Sequence, residues 1–134
     1  MDMAKKGFLP MVTGMALSKT QCPTMVKERE RMLDIPYASA IGSIMYAMLC
    51  TRPDVSNAVS LMSRYQSDPG EEHWRAVKNI LKYLKWTKDM FLVYGGCTEE
   101  LSVTGYIDAS FCTDPDDSKS QMRSVFVVNG GAVS

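Results

Sequence analysis

The chain has 134 residues, of which 46% are hydrophobic and 22% are charged, so it is long enough for one domain or for parts of two. Its 15 basic and 15 acidic side chains cancel, yet residues 1–95 hold 13 basic against 9 acidic side chains, and residues 96–134 hold 2 against 6. The neutral total therefore does not exclude an anionic partner for the first part. The four cysteines form no C-x-x-C pair and only one histidine is present, which argues against a zinc site.

The N-terminal segment carries two lysines, and the apolar stretch that follows them is interrupted by Pro10, Thr13 and Gly14. It shows no evident signal-peptide cleavage site, and no apolar stretch has the length of a membrane span. We therefore expect an intracellular protein of the cytoplasm or nucleus, with reduced cysteines and no membrane partner. No feature of the sequence indicates a small-molecule substrate.

Residues 1–35 show no clean hydrophobic period and are predicted to form an irregular N-terminal segment. From Pro36 the pattern becomes helical, and the apolar residues of this first predicted helix are Ala38, Ile41, Met45, Met48 and Leu49. Residues 51–54, TRPD, end that helix and begin another, because proline disfavours helical geometry before it and suits a first helical turn. The second helix is predicted to bury Val55, Ala58, Val59, Met62 and Tyr65.

A turn at residues 67–70 precedes a third predicted helix, which begins at Glu71 and runs to about Trp86. Its predicted apolar face consists of Trp74, Val77, Leu81 and Leu84. Four basic residues, here called the basic stripe, lie about a quarter turn from that face: Arg75, Lys78, Lys82 and Lys85. The basic stripe is either a solvated face beside the core or a surface that contacts phosphates, and both interpretations stay open.

After Lys88 the hydrophobic period changes to two, which indicates strands. The predicted strands are MFLVY, LSVTGYID and SVFVV, and Asn129-Gly130 is a strong hairpin signal. The fold class is therefore predicted to be α+β, with three helices that lead into a β-hairpin or meander.

Few residues could carry chemistry. His73 is predicted to be a partly exposed helix residue with a structural role. Asp108 lies where a predicted strand ends, and the acids of the following loop, Asp114, Asp116 and Asp117, are explained most simply as surface turn residues. A Mg²⁺ site for phosphodiester cleavage needs several carboxylates from different elements, and Asp108 is placed as one such ligand would be.

An ordered set of segments resembles the Pol polyproteins of copia-type LTR retrotransposons: YASAIGSIMYAMLCTRPD, HWRAVKNILKYLK and GYIDAS. The resemblance begins near KKGFLPM and continues to NGGAVS. In that family a reverse transcriptase is followed by an RNase H domain. The resemblance implies that residues 36–90 are a helical thumb or connection region, and that residues 91–134 are an incomplete RNase H-like β-unit holding the first antiparallel strands of that fold.

The family's RNase H holds two Mg²⁺ ions with a carboxylate cluster, and its first aspartate lies in the motif GYTDAD. The matching residues here are 105–110, so the resemblance implies that Asp108 corresponds to the first metal ligand. Two departures stand out. Ser110 replaces the second acid of the motif, and residues 119–123 read KSQMR where the family tends to have KSTSG.

Because a single carboxylate cannot hold two metal ions, we expect a truncated Pol fragment with a vestigial site, no stably bound Mg²⁺ and no activity of its own. Its implied partner is an RNA–DNA hybrid or another nucleic-acid backbone, bound weakly. The alternative is a nucleic-acid-binding module that uses the basic stripe, or an effector-like or domesticated protein-interaction module.

Overall fold

The computed structural model describes residues 7–12, 15–95, 101–110, 116 and 120–133. The chain is α+β and divides into two compact units, Met1–Asp89 and Met90–Ser134. The described helices of the first unit are α1 (Val26–Leu33), α2 (Tyr37–Cys50), α3 (Ser56–Ser63) and α4 (Glu71–Trp86), with short 3₁₀ helices at Lys19–Gln21 and Pro53–Val55. The described strands of the second unit are β1 (Val103–Ser110), β2 (Gln121–Val128) and β3 (Gly131–Ala132).

Helix α1 lies within the segment that was expected to be irregular, so that prediction is wrong for these residues. Met32 is the only buried residue of α1, and one buried residue leaves no hydrophobic period to detect. The helix is instead supported at its start by Glu28, whose carboxylate accepts a hydrogen bond from the Met25 N–H at 3.4 Å. Arg29 also donates to the Pro23 carbonyl at 3.4 Å, which ties the helix to the preceding segment.

Helix α2 confirms the first predicted helix, and only some of its apolar residues are buried. The buried residues of α2 are Tyr37, Ile41 and Ile44. Of the apolar residues that fall at helical spacing, Met45 and Leu49 are 39% and 77% exposed, and Ala38 is exposed as well. Since apolar side chains occur on every side of this helix, its sequence does not select one face.

The predicted buried residues of the second helix are confirmed. Val55, Ala58, Val59, Met62 and Tyr65 are all buried, with exposures between 0 and 3%. They come from the Pro53–Val55 turn, from α3 and from the residues just after it. Burial of a side chain of the size of Val or Met contributes about 1.5–3 kcal/mol to the free energy of unfolding. These five residues are therefore a main source of stability in the helical unit.

Helix α4 also confirms its prediction, and it begins and ends at the predicted residues. Its buried side chains are His73, Ala76, Val77 and Ile80. Trp74 and the two leucines of the predicted apolar face are only half-buried. The prediction of a partly exposed His73 is wrong, since the imidazole is 0% exposed and stacks on Tyr65 with the ring centroids 4.1 Å apart.

Two buried tyrosines connect segments that are distant in the chain. The Tyr37 hydroxyl donates to the Met62 carbonyl at 2.9 Å, and the Tyr65 hydroxyl donates to the Leu17 carbonyl at 3.0 Å. Burial raises the pKa of Tyr37, so it remains a neutral hydrogen-bond donor. The second bond holds the segment before α1 against the end of α3.

The turn between α3 and α4 accepts only glycine at position 70. A Cβ atom built at Gly70 would overlap with the carbonyl oxygen of Gln21, which shows how closely the N-terminal segment crosses this turn. In contrast, a Cβ atom at Gly42 in α2 would meet no atom within 4 Å.

A polar cluster joins the start of α3 to the end of α4. Arg52 donates to both carboxylate oxygens of Asp54, at 2.9 and 2.7 Å, and the Tyr83 hydroxyl donates to Asp54 at 2.6 Å. Arg52 also donates to the Thr87 hydroxyl at 2.7 Å, and Thr87 donates to the Tyr83 carbonyl at 2.8 Å. The hydrogen bonds from Arg52 lower the pKa of Asp54, so the carboxylate stays ionised in the folded protein.

The strands form an antiparallel sheet in the order β1-β2-β3. The predicted hairpin at Asn129-Gly130 is confirmed, with positive φ values of 45° and 83° at the two turn residues. The Asn129 side chain accepts from the Ser102 N–H at 2.8 Å, and the Asn129 N–H donates to the Ser102 carbonyl at 3.0 Å. The turn therefore also anchors the start of β1.

The predicted strand at MFLVY is wrong, because residues 90–95 have no strand structure. Within the second unit, the Tyr94 hydroxyl donates to the Ala132 carbonyl at 3.0 Å. The Tyr94 ring lies so close to Gly131 that a Cβ there would be 2.6 Å from a ring carbon. Side-chain contacts, rather than a backbone ladder, hold this segment.

Among the described residues, no single helix has the length and apolar character of a membrane span. Helices α1 and α2, which are bent by 49° relative to each other, meet those two criteria only when they are taken together.

The contrast between the two glycines gives a stability test. We expect Gly70→Ala to lower the free energy of unfolding by about 1–3 kcal/mol, because the new methyl group displaces the Gln21 backbone. Gly42→Ala is the matched control, and we expect it to raise stability by up to about 1 kcal/mol through helix propensity. Urea unfolding followed by circular dichroism measures both. Equal effects of the two substitutions would contradict the close approach at Gly70.

The Asp54 cluster gives a second test. We expect Asp54→Asn to lower the free energy of unfolding by about 1.5 kcal/mol at neutral pH, because two charge-assisted hydrogen bonds from Arg52 are weakened. Since the pKa of Asp54 is lowered from its ordinary value of 3.8, this contribution is present above that pH and is lost as the pH falls below it.

Asp68→Asn serves as the control for Asp54→Asn. Asp68 pairs with Arg29 at 3.6 Å on the surface, and we expect a change below about 0.5 kcal/mol. Unfolding curves between pH 3 and pH 7 distinguish the two variants, and a pH-independent difference for Asp54→Asn would argue against the cluster.

Candidate nucleic-acid interface and strand carboxylate

The basic stripe lies along one side of α4, next to its buried face. Arg75, Lys78 and Lys85 are exposed, and Lys82 is half-buried. The four residues are spaced three, four and three apart, so they follow the helix surface in one line. Helix α4 thus presents a row of cations whose positions are fixed by the core packing of Ala76, Val77 and Ile80.

Arg75 is engaged by an acid of its own helix. Its guanidinium lies 2.9 Å from one carboxylate oxygen of Glu72 and donates to the other at 3.2 Å. Both side chains are about half exposed, at 56% and 44%. A pair of this kind contributes at most about 1 kcal/mol, so a phosphate can compete with Glu72 for Arg75.

The N-terminal segment borders the stripe at Lys82. A Cβ atom at Gly7 would lie 3.3 Å from the Lys82 Cβ and 3.1 Å from the Tyr83 backbone nitrogen. The following residue, Phe8, packs its ring edgewise on Trp86, with the centroids 6.4 Å apart. The N-terminal segment thus passes close to Lys82, which is half-buried, whereas Lys78 and Lys85 are exposed.

A cleft of about 510 Å³ opens beside the N-terminal half of the stripe, between α1 and α4. Apolar side chains of Met32, Ile35 and Trp74 contribute to its lining. Its charged lining residues are Glu28, Arg31, Glu71, Glu72 and Lys78. The mixed charge does not favour an anion inside the cleft, so a phosphate backbone fits better along the outer side of α4 than within it.

Asp108 lies within β1, two residues before its end at Ser110, and it is exposed. It pairs in register with Arg123 of β2. Because side chains alternate along a strand, Asp108 shares a face with Thr104 and Tyr106. The sequence predicts Asp108 at the end of the strand, and in the structure it lies slightly inside.

The opposite face of the hairpin is apolar and open. Val103, Ile107 and Met122 are 62%, 71% and 75% exposed. A Cβ at Gly105 would be 3.0 Å from a ring carbon of Phe126, so the Phe126 ring covers the glycine across the strand pair. Within the second unit, these residues form an exposed apolar surface.

The described residues do not fit a two-metal centre. No three of their His, Cys, Asp and Glu side chains come close enough together to hold a metal ion. Asp116 is half-buried in a turn, while Asp114 and Asp117 lie outside the described residues. Bound Mg²⁺ therefore stays a prediction from the resemblance, and no reaction step is assigned to it.

The polar cluster around Asp54 was missed at the sequence level. Residues 51–54 were interpreted only as a break between helices, while the partners Tyr83 and Thr87 lie 29 and 35 residues away from the groups that they contact. No local pattern could have connected them. The only available signal was an Arg and an Asp two residues apart on either side of a proline.

Known proteins show a consistent similarity to this chain. It is 46% identical over 134 residues to a retrovirus-related Pol polyprotein from transposon TNT 1-94 of Nicotiana tabacum, a match that covers 100% of this chain and 10% of that protein. It is 38% identical over 112 residues to a retrovirus-related Pol polyprotein from transposon RE2 of Arabidopsis thaliana, which covers 81% of this chain and 7% of that protein. The chain thus spans a tenth or less of the length of these two relatives.

A shorter relative is secreted RxLR effector protein 161 of Plasmopara viticola, which is 40% identical over 103 residues. That match covers 77% of this chain and 72% of the effector protein. No protein-family model matches the chain, and no solved structure matches it.

Proposed function

The chain belongs to the retrovirus-related Pol polyproteins of copia-type LTR retrotransposons, and we propose that it supplies two adjoining parts of such a polyprotein. Residues 36–90 act as thumb or connection helices of a reverse transcriptase. The strands after residue 101 act as the first strands of an RNase H domain. The proposed activity of the whole polyprotein is RNA-directed DNA synthesis, with cleavage of the RNA in the RNA–DNA hybrid.

The observation that carries this proposal is the exposed carboxylate of Asp108 on β1, within the residues 105–110 that resemble the first metal-binding motif of the family. An exposed strand carboxylate is a suitable oxygen ligand for Mg²⁺. In-line cleavage of a phosphodiester by two metal ions needs further carboxylates. They would have to come from residues other than those described here.

We therefore expect the 134-residue chain by itself not to cleave RNA in a labelled RNA–DNA hybrid with Mg²⁺ or Mn²⁺. The reason is that one strand carboxylate cannot hold the two metal ions that would stabilise the attacking and the leaving oxygen. Gel analysis of the labelled RNA measures cleavage, and Asp108→Asn controls for a contaminating nuclease. Cleavage by the unsubstituted chain that disappears in Asp108→Asn would overturn this expectation.

A second proposal concerns binding rather than catalysis. The basic stripe on α4 contacts the phosphate backbone of a nucleic acid, as a thumb helix would. Its support is the line of cations along one side of a helix that the core holds in place, with Lys78 and Lys85 exposed. Glu72 binds Arg75 only through a surface ion pair, so a phosphate can replace Glu72 as the partner of Arg75.

Salt dependence tests the second proposal. Four phosphate contacts on duplex DNA predict that log K falls with log[salt] with a slope of about −3.6. We expect Lys78→Glu/Lys82→Glu to flatten that slope by about 2 and to weaken binding, measured by fluorescence anisotropy with a labelled duplex.

The matched control is Lys27→Glu/Lys88→Glu, which makes the same change in net charge with exposed lysines outside the stripe. Equal loss of binding in both double variants would show that only the overall charge matters, and it would remove the stripe as the contact surface.

A further inference from the structure

His73 has a hydrogen-bonding arrangement that defines its protonation state. Its Nδ1 accepts a hydrogen bond from the Gly70 backbone N–H at 2.9 Å, and its Nε2 lies 3.2 Å from the Ser18 carbonyl oxygen. A backbone N–H can only donate and a carbonyl can only accept. The proton therefore resides on Nε2, Nδ1 carries none, and the ring is neutral.

We propose that His73 is a pH-sensitive latch, which holds residues 17–22 against the α3–α4 turn when it is neutral and releases them when it is protonated. Protonation would place a second N–H on Nδ1, directed at the Gly70 N–H, so two donors would face each other. It would also place a positive charge on a ring that is 0% exposed. The proposal goes beyond the Pol-derived role and does not depend on it.

The contacts around His73 explain why a single proton would act on a whole segment. Tyr65 stacks on the imidazole with its ring tilted by only 10°, and its hydroxyl holds the Leu17 carbonyl at 3.0 Å. The next carbonyl along the chain, that of Ser18, is held by His73 itself. Beyond it, the Gln21 carbonyl lies against Gly70. Protonation of Nδ1 removes the acceptor of the Gly70 N–H, while Nε2 can still donate to the Ser18 carbonyl. The facing donors and the buried charge would displace the ring from its site, and residues 17–22 would then lose the contact between His73 and Ser18.

Among the described residues, the other titratable groups on the surrounding elements are tyrosines, carboxylates, a lysine and a cysteine. They are Tyr65 after α3, Asp68 in the α3–α4 turn, Tyr37 on α2, Lys19 and Cys22 in the segment, and Glu71 and Glu72 on α4 itself. Glu72 is paired with Arg75, and Glu71 is exposed. The two tyrosines act as neutral donors to backbone carbonyls. His73 is the group whose ordinary titration range, near pH 6.5, lies closest to neutrality.

The direction of the effect follows from proton linkage. The latched state disfavours the protonated ring, so it binds fewer protons than the released state. The latch is therefore at full strength above about pH 6.5 and weakens as the pH falls below that value. At pH 5.0 the equilibrium can lie further toward the released state than at high pH by up to about 30-fold, of which about 16-fold develops between pH 6.5 and pH 5.0.

Two measurements on the whole chain test the latch. Because the chain contains one histidine, the imidazole NMR signals belong to His73 without further assignment. We expect the ring to stay neutral well below pH 6.5 in the folded protein, and amide hydrogen exchange of residues 17–22, corrected for the intrinsic pH effect, to rise at least fivefold between pH 7.5 and pH 5.0. An imidazole that titrates near pH 6.5 with unchanged exchange would overturn the proposal.

His73→Gln provides the variant, because a glutamine amide offers an acceptor and a donor but does not titrate in this range. We expect its exchange in residues 17–22 to be independent of pH, whatever its overall stability. Should His73→Gln show the same pH-dependent opening as the unsubstituted chain, another group would control the segment and the latch would be wrong. If that variant does not fold, the NMR titration of the unsubstituted chain decides the question alone.

Discussion

The close crossing of residues 17–22 over the α3–α4 turn is the constraint on which the helical unit depends. Gly70 permits the approach, since any side chain there would collide with the Gln21 carbonyl. His73 and Tyr65 then use that proximity to bind the Ser18 and Leu17 carbonyls. Buried backbone carbonyls require such partners, so the crossing is stable only while these side chains are in place.

The same packing gives α4 its orientation, and α4 carries the basic stripe. The helix is held along its length by Ala76, Val77 and Ile80 in the core, and at its C-terminal end by the Arg52–Asp54–Tyr83 contacts. Because the helix is held in place, the basic stripe keeps a constant spacing between its charges. Contact with a regular phosphate backbone requires such a constant spacing. The binding proposal therefore rests on the rigidity of the helix as well as on its charge.

The β-unit has a different character. Its hairpin geometry is well defined by the Asn129-Gly130 turn and by the register of β1 with β2. Several of its described apolar residues are exposed, among them Val103, Ile107 and Met122. Strand carboxylates in such a unit can contribute ligands, but the described residues do not assemble a set of them. Because the described residues do not assemble such a set, the proposed nuclease role is assigned to the polyprotein and not to this chain alone.

Local patterns predicted the elements with clear periods. The buried stripe through Val55 and Tyr65, the extent of α4 and the Asn129-Gly130 hairpin all follow from spacing or turn chemistry alone. The patterns failed where periodicity was absent or ambiguous. Helix α1 buries one residue, α2 is apolar on every side, and residues 90–95 are held by the Tyr94 side chain instead of a ladder.

The amino-acid sequence by itself determined the family, the buried residues from Val55 to Tyr65, the extent of α4 and the Asn129-Gly130 hairpin, because these depend on residues that are neighbours in the chain. Only the tertiary structure decided which side of α2 is buried, why position 70 must be glycine and why His73 is neutral. The physical reason is distance along the chain: His73 meets Ser18 across 55 residues and Arg52 meets Thr87 across 35, and no local pattern records such contacts.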